Sequence, residues 1–252
     1  MSIFALKMLS NARKKEINSL KQKKYRQRYR QFLVEGEKSV LELCQSDYLI
    51  DEILVTQTQF NKIGEKLPSS KVLIISDKDS ELLSTLETSP GIMAVSNFKE
   101  SKIEDVFFEN KITLMLDSIS DPGNLGTIIR IADWYGIETI VCSIGCVDLY
   151  NSKTIASSMG SFTRVNIIYT ELESVLKNSK IPSYACVMDG QLLQAISKPM
   201  EGILIIGNES NGISSEIEKL ASEKITIPRI GHAESLNAAI AAAIVCHTFL
   251  VG

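Results

Sequence analysis

From Phe32 onward the chain alternates between short apolar runs and stretches whose apolar residues recur at helical spacing. FLVEG (32–36), IDEILVT (50–56), KVLIIS (71–76) and GIMAVSNF (91–98) read as strands. Between them, KSVLELCQS (38–46), FNKIGEKL (60–67) and DKDSELLSTL (77–86) read as helices, the last capped by Ser76 or Asp77. Residues 5–31 read as a heavily charged helix. The pattern predicts a small alternating α/β domain over residues 1–100.

KESKIEDVFFEN (99–110) has no strand period and is charged, which predicts a linker. The second half alternates again. Strands are predicted at 112–117, 138–143, 164–169, 183–188, 203–207 and 224–228, with helices between them and a long final helix over 234–250. Runs such as ITLMLD and GILIIG are apolar without interruption, as expected for parallel strands buried on both faces. The expected class is therefore α/β, with a second domain over 111–252.

Charge sharpens this division. The net charge is −3, yet residues 1–30 carry ten Lys/Arg and one acid, Glu16. A cationic segment on an acidic protein suits contact with nucleic acid through that segment alone. Five cysteines without a CxxC, and two histidines, make a metal site improbable by ligand count and suggest reduced thiols. MSIFALKMLS lacks the basic start of a signal peptide, and AAIAAAIVC (238–246) is too short to span a bilayer, so a cytoplasmic protein without membrane attachment is expected.

Three segments carry candidate chemistry. In LDSISDPGNLGTIIRIADWYGI (116–137) a buried strand meets a turn with Gly123 and Gly126 and then a helix. That loop is either an anion site at a helix N-terminus or an ordinary turn capped by Asp121 or Asn124. It is neither GxGxxG nor a P-loop, which removes the glycine fingerprint of a dinucleotide-linked oxidoreductase. In ILIIGNESNGIS (203–214), Glu209 falls just past the C-terminal end of a strand, where parallel sheets place ligands; a solvated loop carboxylate is the plainer alternative. In ITIPRIGHAESLNAAIAAAIV (225–245), Pro228 ends a strand, and Glu234 or Ser235 starts a helix with Asn237 in its first turn. Asn is unfavourable inside a helix, so a ligand contact would explain it. The alanines that follow permit close packing against a loop or a second subunit.

DPGNLGTIIR, IIGNESNGIS and IPRIGHAESLNAAIAAA, in this order and spacing, resemble the three motifs of the SpoU/TrmH-type RNA 2′-O-ribose methyltransferases of the SPOUT class. RQFLVEGEKSVLEL resembles the L30e-like substrate-binding domain that precedes the catalytic domain in many members. The resemblance implies an α/β SPOUT domain with a trefoil knot, a homodimer formed through that domain, and S-adenosyl-L-methionine as methyl donor. Carried over residue by residue, it places donor contacts at Gly207, Ile227 and Leu236. It places functional polar positions at Asn124, Arg130, Glu209, Ser235 and Asn237. Ala239 departs from the serine many members carry there.

The implied reaction is in-line displacement of a sulfonium methyl by a ribose 2′-hydroxyl. The family reading gives Arg130 the base role, but a guanidinium stays protonated in almost every setting. Arg130 is better read as orienting the hydroxyl and its phosphate, with Ser235 and Asn237 on the ribose and Glu209 fixing Arg130 or Asn124. His232 is the alternative base, and His247 reads as a packing residue. RNA affinity is expected from Lys23, Lys24, Arg26, Arg28 and Arg30, joined by Lys14, Lys15 and Lys21, with Tyr25 and Tyr29 stacking on unpaired bases. Ribosomal RNA is the expected substrate. The alternatives are transfer RNA methylation and a non-catalytic RNA-binding protein.

Overall fold

The computed structural model describes residues 9–197 and 199–251. Residues 5–8 of the predicted first helix lie outside them. The chain forms two compact units, residues 1–100 with 150–163, and residues 101–149 with 164–252.

The first unit opens with α1 (Asn11–Ser19) and α2 (Lys23–Tyr29), two helices where the sequence predicted one. The break falls at Leu20–Gln22 because Leu20 and Ile17 turn inward to the core. Arg30 then closes α2 in the left-handed region (φ 55°). There follow β1 (Gln31–Glu35), α3 (Glu37–Cys44), β2 (Ile50–Thr56), α4 (Gln57–Ile63), β3 (Val72–Ile75), α5 (Asp77–Leu83) and β4 (Ile92–Asn97). Ser76 is the cap of α5, its Oγ accepting from the Asp79 N–H at 3.1 Å. The sheet order is β1-β4-β2-β3, with only β2 and β3 parallel.

The second unit begins with β5 (Ile112–Leu116), α6 (Pro122–Trp134) and β6 (Thr139–Ser143). Helix α6 starts where Asp121 Oδ1 accepts from the Asn124 N–H at 2.8 Å, with Pro122 in the first turn, which has no N–H to lose. Its stripe of Leu125, Ile128, Ile129 and Ala132 is buried. After β6 the chain contributes α7 (Ser152–Ser158) to the first unit. Tyr150 stacks on Phe98 there with ring centroids 4.0 Å apart, and Phe162 meets Phe32 edge-on. The second unit resumes with β7 (Asn166–Thr170), α8 (Leu172–Asn178), β8 (Ser183–Leu192), β9 (Gly202–Ile206), α9 (Ser215–Leu220), β10 (Glu223–Thr226) and α10 (Ala238–Leu250). Its sheet is parallel throughout in the order β10-β8-β9-β5-β6-β7. Strands β5 and β9 sit at its centre and are buried along their whole length, as their unbroken apolar runs require.

The last helix starts four residues later than the predicted 234. Asn237 is its N-cap, with Oδ1 accepting from the N–H groups of Ala239 and Ile240 at 3.0 and 3.2 Å. A short polar side chain that satisfies free amide groups belongs at this position and not one turn inside. The strand before Pro228 likewise stops early, at Thr226.

Candidate active site

The C-terminal ends of β9 and β10 and the middle of β8 face a cavity of about 690 Å³. Its walls are these parts of the three strands, the loop after β9, the loop before α10 and the first turn of α10. Gly207, Ile227 and Leu236, the three expected donor contacts, all line it, as do Glu209 and Ser235. The loop after β9 doubles back tightly. A Cβ at residue 207 would lie 2.2 Å from the Gly212 carbonyl carbon, so only glycine is accommodated there. Asn208 and Gly212 bridge each other through both backbone hydrogen bonds, and Gly212 itself has φ 70°.

Asn124 and Asn237 join the same site through a hydrogen-bonded chain. Asn237 Nδ2 donates to Asn124 Oδ1 at 2.8 Å, and Asn124 Nδ2 donates to Glu209 Oε1 at 2.8 Å. Glu209 also accepts from the Ser120 N–H and hydroxyl and from the Asp121 N–H, at 3.1 to 3.3 Å. Burial opposes ionisation of this carboxyl. The hydrogen bonds from Asn124 and from the Ser120 and Asp121 amides outweigh it and hold the group below its ordinary value. One carboxylate thus ties the β5–α6 turn to the loop after β9, and Asn124 extends the tie to α10.

Arg130 does not join this chain. It stands on the exposed side of α6 and makes no side-chain hydrogen bond or ion pair among the described residues. Glu209 therefore fixes Asn124 and not Arg130, the other partner that sequence reasoning allowed. His232 is exposed and lies between two cavity-lining residues without lining the cavity itself. His247 Nδ1 meets the Tyr135 hydroxyl at 3.3 Å, linking α10 to the end of α6.

Sequence reasoning missed Asp117, Ser118 and Asn208, which hold the loop from beneath. Asn208 Nδ2 donates to the Ser118 carbonyl at 2.6 Å, while its Oδ1 accepts from the Ser210 and Asn211 N–H groups. A polar residue directly after an apolar strand was the available signal, but it is shared by ordinary turns.

In the first unit the cations divide into two sets. Arg26 is buried, and its guanidinium donates to the Leu20 and Lys21 carbonyls at 3.0 Å. It holds the α1–α2 corner together, which corrects its expected place on an RNA surface. Lys14 pairs with Asp79, Lys21 donates to the Leu82 carbonyl, and Arg30 pairs with Glu100 over the Phe98 ring. Lys15, Lys23, Lys24 and Arg28 are exposed and carry no ion pair among the described residues. Lys24 and Arg28 sit against the Tyr25 and Tyr29 rings, which stack on each other.

The SpoU rRNA Methylase family pattern matches residues 111–247, which hold every part of the cavity. The chain belongs to the SpoU rRNA methylase family. The MRM3-like substrate binding domain matches residues 11–94 of the first unit. The chain is 32% identical to the 23S rRNA (guanosine(2553)-2′-O)-methyltransferase RlmP of Bacillus subtilis, over 94% of this chain and 95% of that protein. Among solved structures, a putative TrmH-family RNA methyltransferase of Porphyromonas gingivalis superposes with a TM-score of 0.86 at 33% identity, covering 96% of this chain and 98% of that one. An AdoMet-bound rRNA methyltransferase of Sinorhizobium meliloti superposes with a TM-score of 0.87 at 27% identity, covering 96% and 95%. Among the described residues, no cluster of His, Cys, Asp and Glu could hold a metal ion, and no helix is long and apolar enough to cross a membrane.

Proposed function

We propose that this SpoU-family methylase transfers a methyl group from S-adenosylmethionine to a ribose 2′-hydroxyl in structured RNA, with ribosomal RNA as the substrate class. The observation that carries the reading is the convergence of the three motif segments on one cavity, with Asn124, Glu209 and Asn237 in one hydrogen-bonded chain. The cavity chemistry suits the donor. Ile206, Ile213, Ile227 and Leu236 offer apolar surface, and the carboxylates of Asp189, Glu209, Glu218 and Glu234 complement a cationic ligand.

When bound, the donor supplies an electrophilic methyl on a good leaving group, so the protein's work is positioning. Gly207, Ile227 and Leu236 hold the donor. Ser235 and Asn237 hold the ribose, and Glu209 sets the amide of Asn124, which in turn sets Asn237. Arg130 orients the target phosphate and hydroxyl through its planar guanidinium.

Residues 1–100, completed by the segment 150–163, act as the RNA substrate-binding domain, and the rest of residues 111–252 acts as the catalytic domain. Lys23, Lys24 and Arg28, with Lys15, meet phosphates, and Tyr25 and Tyr29 offer faces to unpaired bases. A homodimer through the catalytic domain is supported by exposed apolar side chains on both α6 and α10, with Trp134 at 83% and Ile240 at 52% exposure. The pairing of β9 between β5 and β8, with α10 packed on α6 and β9, suits a trefoil knot in that domain, and a cytoplasmic location suits a ribosomal RNA substrate. Calorimetric titration with S-adenosylmethionine tests the reading. Saturable one-site binding is expected, and no heat of binding would overturn it.

A further inference from the structure

The loop after β9 forms a continuous wall of the cavity from Ile206 to Ile213, and both of its ends are held by the first two residues after β5. Asp117 is buried at 6% exposure, and its N–H continues the β5–β9 pairing by donating to the Ile206 carbonyl at 2.9 Å. Its Oδ2 accepts from both the N–H and the hydroxyl of Ser214, at 2.8 and 2.7 Å, and Ser118 Oγ donates to its Oδ1 at 3.0 Å. Ser118 adopts φ 59°, a conformation uncommon outside glycine, and from it offers its carbonyl to Asn208. The entry of the loop at Asn208 and its exit at Ser214 are therefore fixed to adjacent residues of one strand end. Glu209 holds the middle of the loop from the other side.

We propose that Asp117 is a positioning residue for the methyl donor, holding the loop 206–214 in its binding shape through Ser214. The proposal rests on the S-adenosylmethionine reading of the cavity. A carboxylate is suited to the task because it accepts two hydrogen bonds on one oxygen and a third on the other. Among the described residues the Ser214 hydroxyl has no other partner, and Ser214 is the N-cap of α9, so its displacement moves Gly212 and Ile213 in the cavity wall. Asp117 itself does not line the cavity, and so it acts through the loop and not by contact.

The test compares the full-length protein with Asp117→Ala, Asp117→Asn and Ser214→Ala. Donor affinity is read by calorimetry with S-adenosylmethionine, alongside RNA affinity and the KM and kcat of methyl transfer. Asp117→Ala is expected to weaken donor binding about tenfold or more, the scale of losing hydrogen bonds to a charged group. KM for the donor rises in step, kcat at saturation changes far less, and RNA affinity is retained. Asp117→Asn, whose amide oxygen can still accept from Ser214, recovers most of the donor affinity, and Ser214→Ala falls between. Should Asp117→Ala fail to fold, Ser214→Ala decides: a raised KM for the donor supports the proposal and an unchanged one overturns it. Wild-type protein that binds the donor while the variants bind it equally well overturns the role of Asp117 alone. Wild-type protein that does not bind the donor overturns the methyltransferase reading and the proposal with it.

Discussion

Asn124 and Glu209 lie 85 residues apart in sequence and meet through a 2.8 Å hydrogen bond from the Asn124 amide to the Glu209 carboxylate. The bond joins the helix that follows the central strand β5 to the loop that follows its neighbour β9. It also fixes which way the Asn124 amide faces, because the other end of that amide accepts from Asn237. Replacing Glu209 by alanine leaves the Ser120 and Asp121 amides and the Asn124 amide short of an acceptor. A loss of about 2 kcal/mol in stability is expected. Methyl transfer should fall by more than this loss accounts for, measured as kcat/KM beside thermal unfolding.

The same carboxylate sets a pH dependence. Its folded-state value is depressed, so it contributes stability that is present above the ordinary glutamate range and is lost as pH falls through the folded value. Donor affinity of the wild-type protein should hold as pH falls from neutral through the ordinary glutamate range and decline only below it. Titrations of the Glu209→Gln variant should show a weaker affinity at neutral pH and a flatter decline.

Asn237 has two separable tasks. As N-cap its side-chain oxygen accepts from two amides of α10, while its Nδ2 reaches Asn124. Asn237→Asp keeps the cap and loses the donor, so the melting temperature should stay close to wild type while turnover falls at least tenfold. Asn237→Ala loses both, with about 1 kcal/mol of stability gone as well. Equal turnover in the wild type and the Asp variant would sink the link to Asn124.

The cations of the first unit should sort by partner, not by charge. Arg26→Ala is expected to destabilise the protein, because two carbonyls at the α1–α2 corner lose their donor. The triple variant Lys23→Ala, Lys24→Ala, Arg28→Ala should melt like wild type yet bind RNA more weakly. Its slope of log affinity against log salt should be shallower by about 2. An unchanged slope would remove α2 from the RNA surface.

Phe162→Ala should cost about 3–5 kcal/mol, although it lies outside the first hundred residues, because its ring packs against Phe32 and Tyr48. A fragment ending at residue 100 should accordingly lack a cooperative melt, and one supplying residues 150–163 should recover it.

The parallel sheet was legible because strands buried on both faces must be apolar without a break, and β5 and β9 are. The motif positions around the cavity were legible through the resemblance of three separated segments to family motifs, because glycine, asparagine and proline after a strand by themselves mark ordinary turns equally well. Three features were not. The burial of Arg26 depends on Leu20 and Ile17 turning inward, which composition does not reveal in a segment this cationic. The start of α10 was misplaced because Glu234 and Ser235 offered an earlier start, whereas Asn237 caps the helix through the Ala239 and Ile240 amides while it meets Asn124. The grouping of Tyr150–Thr163 with the first unit rests on aromatic contacts to Phe32, Tyr48 and Phe98, and no local pattern in 150–163 announces such partners.

The most direct measurement is methyl transfer itself. Purified protein is incubated with methyl-labelled S-adenosylmethionine and ribosomal RNA from cells lacking the gene, and the RNA is digested to nucleosides for mass spectrometry. The account predicts label in a single 2′-O-methylnucleoside, absent with Arg130→Ala. Label on a base, or no incorporation into RNA by a protein that binds the donor, would contradict it.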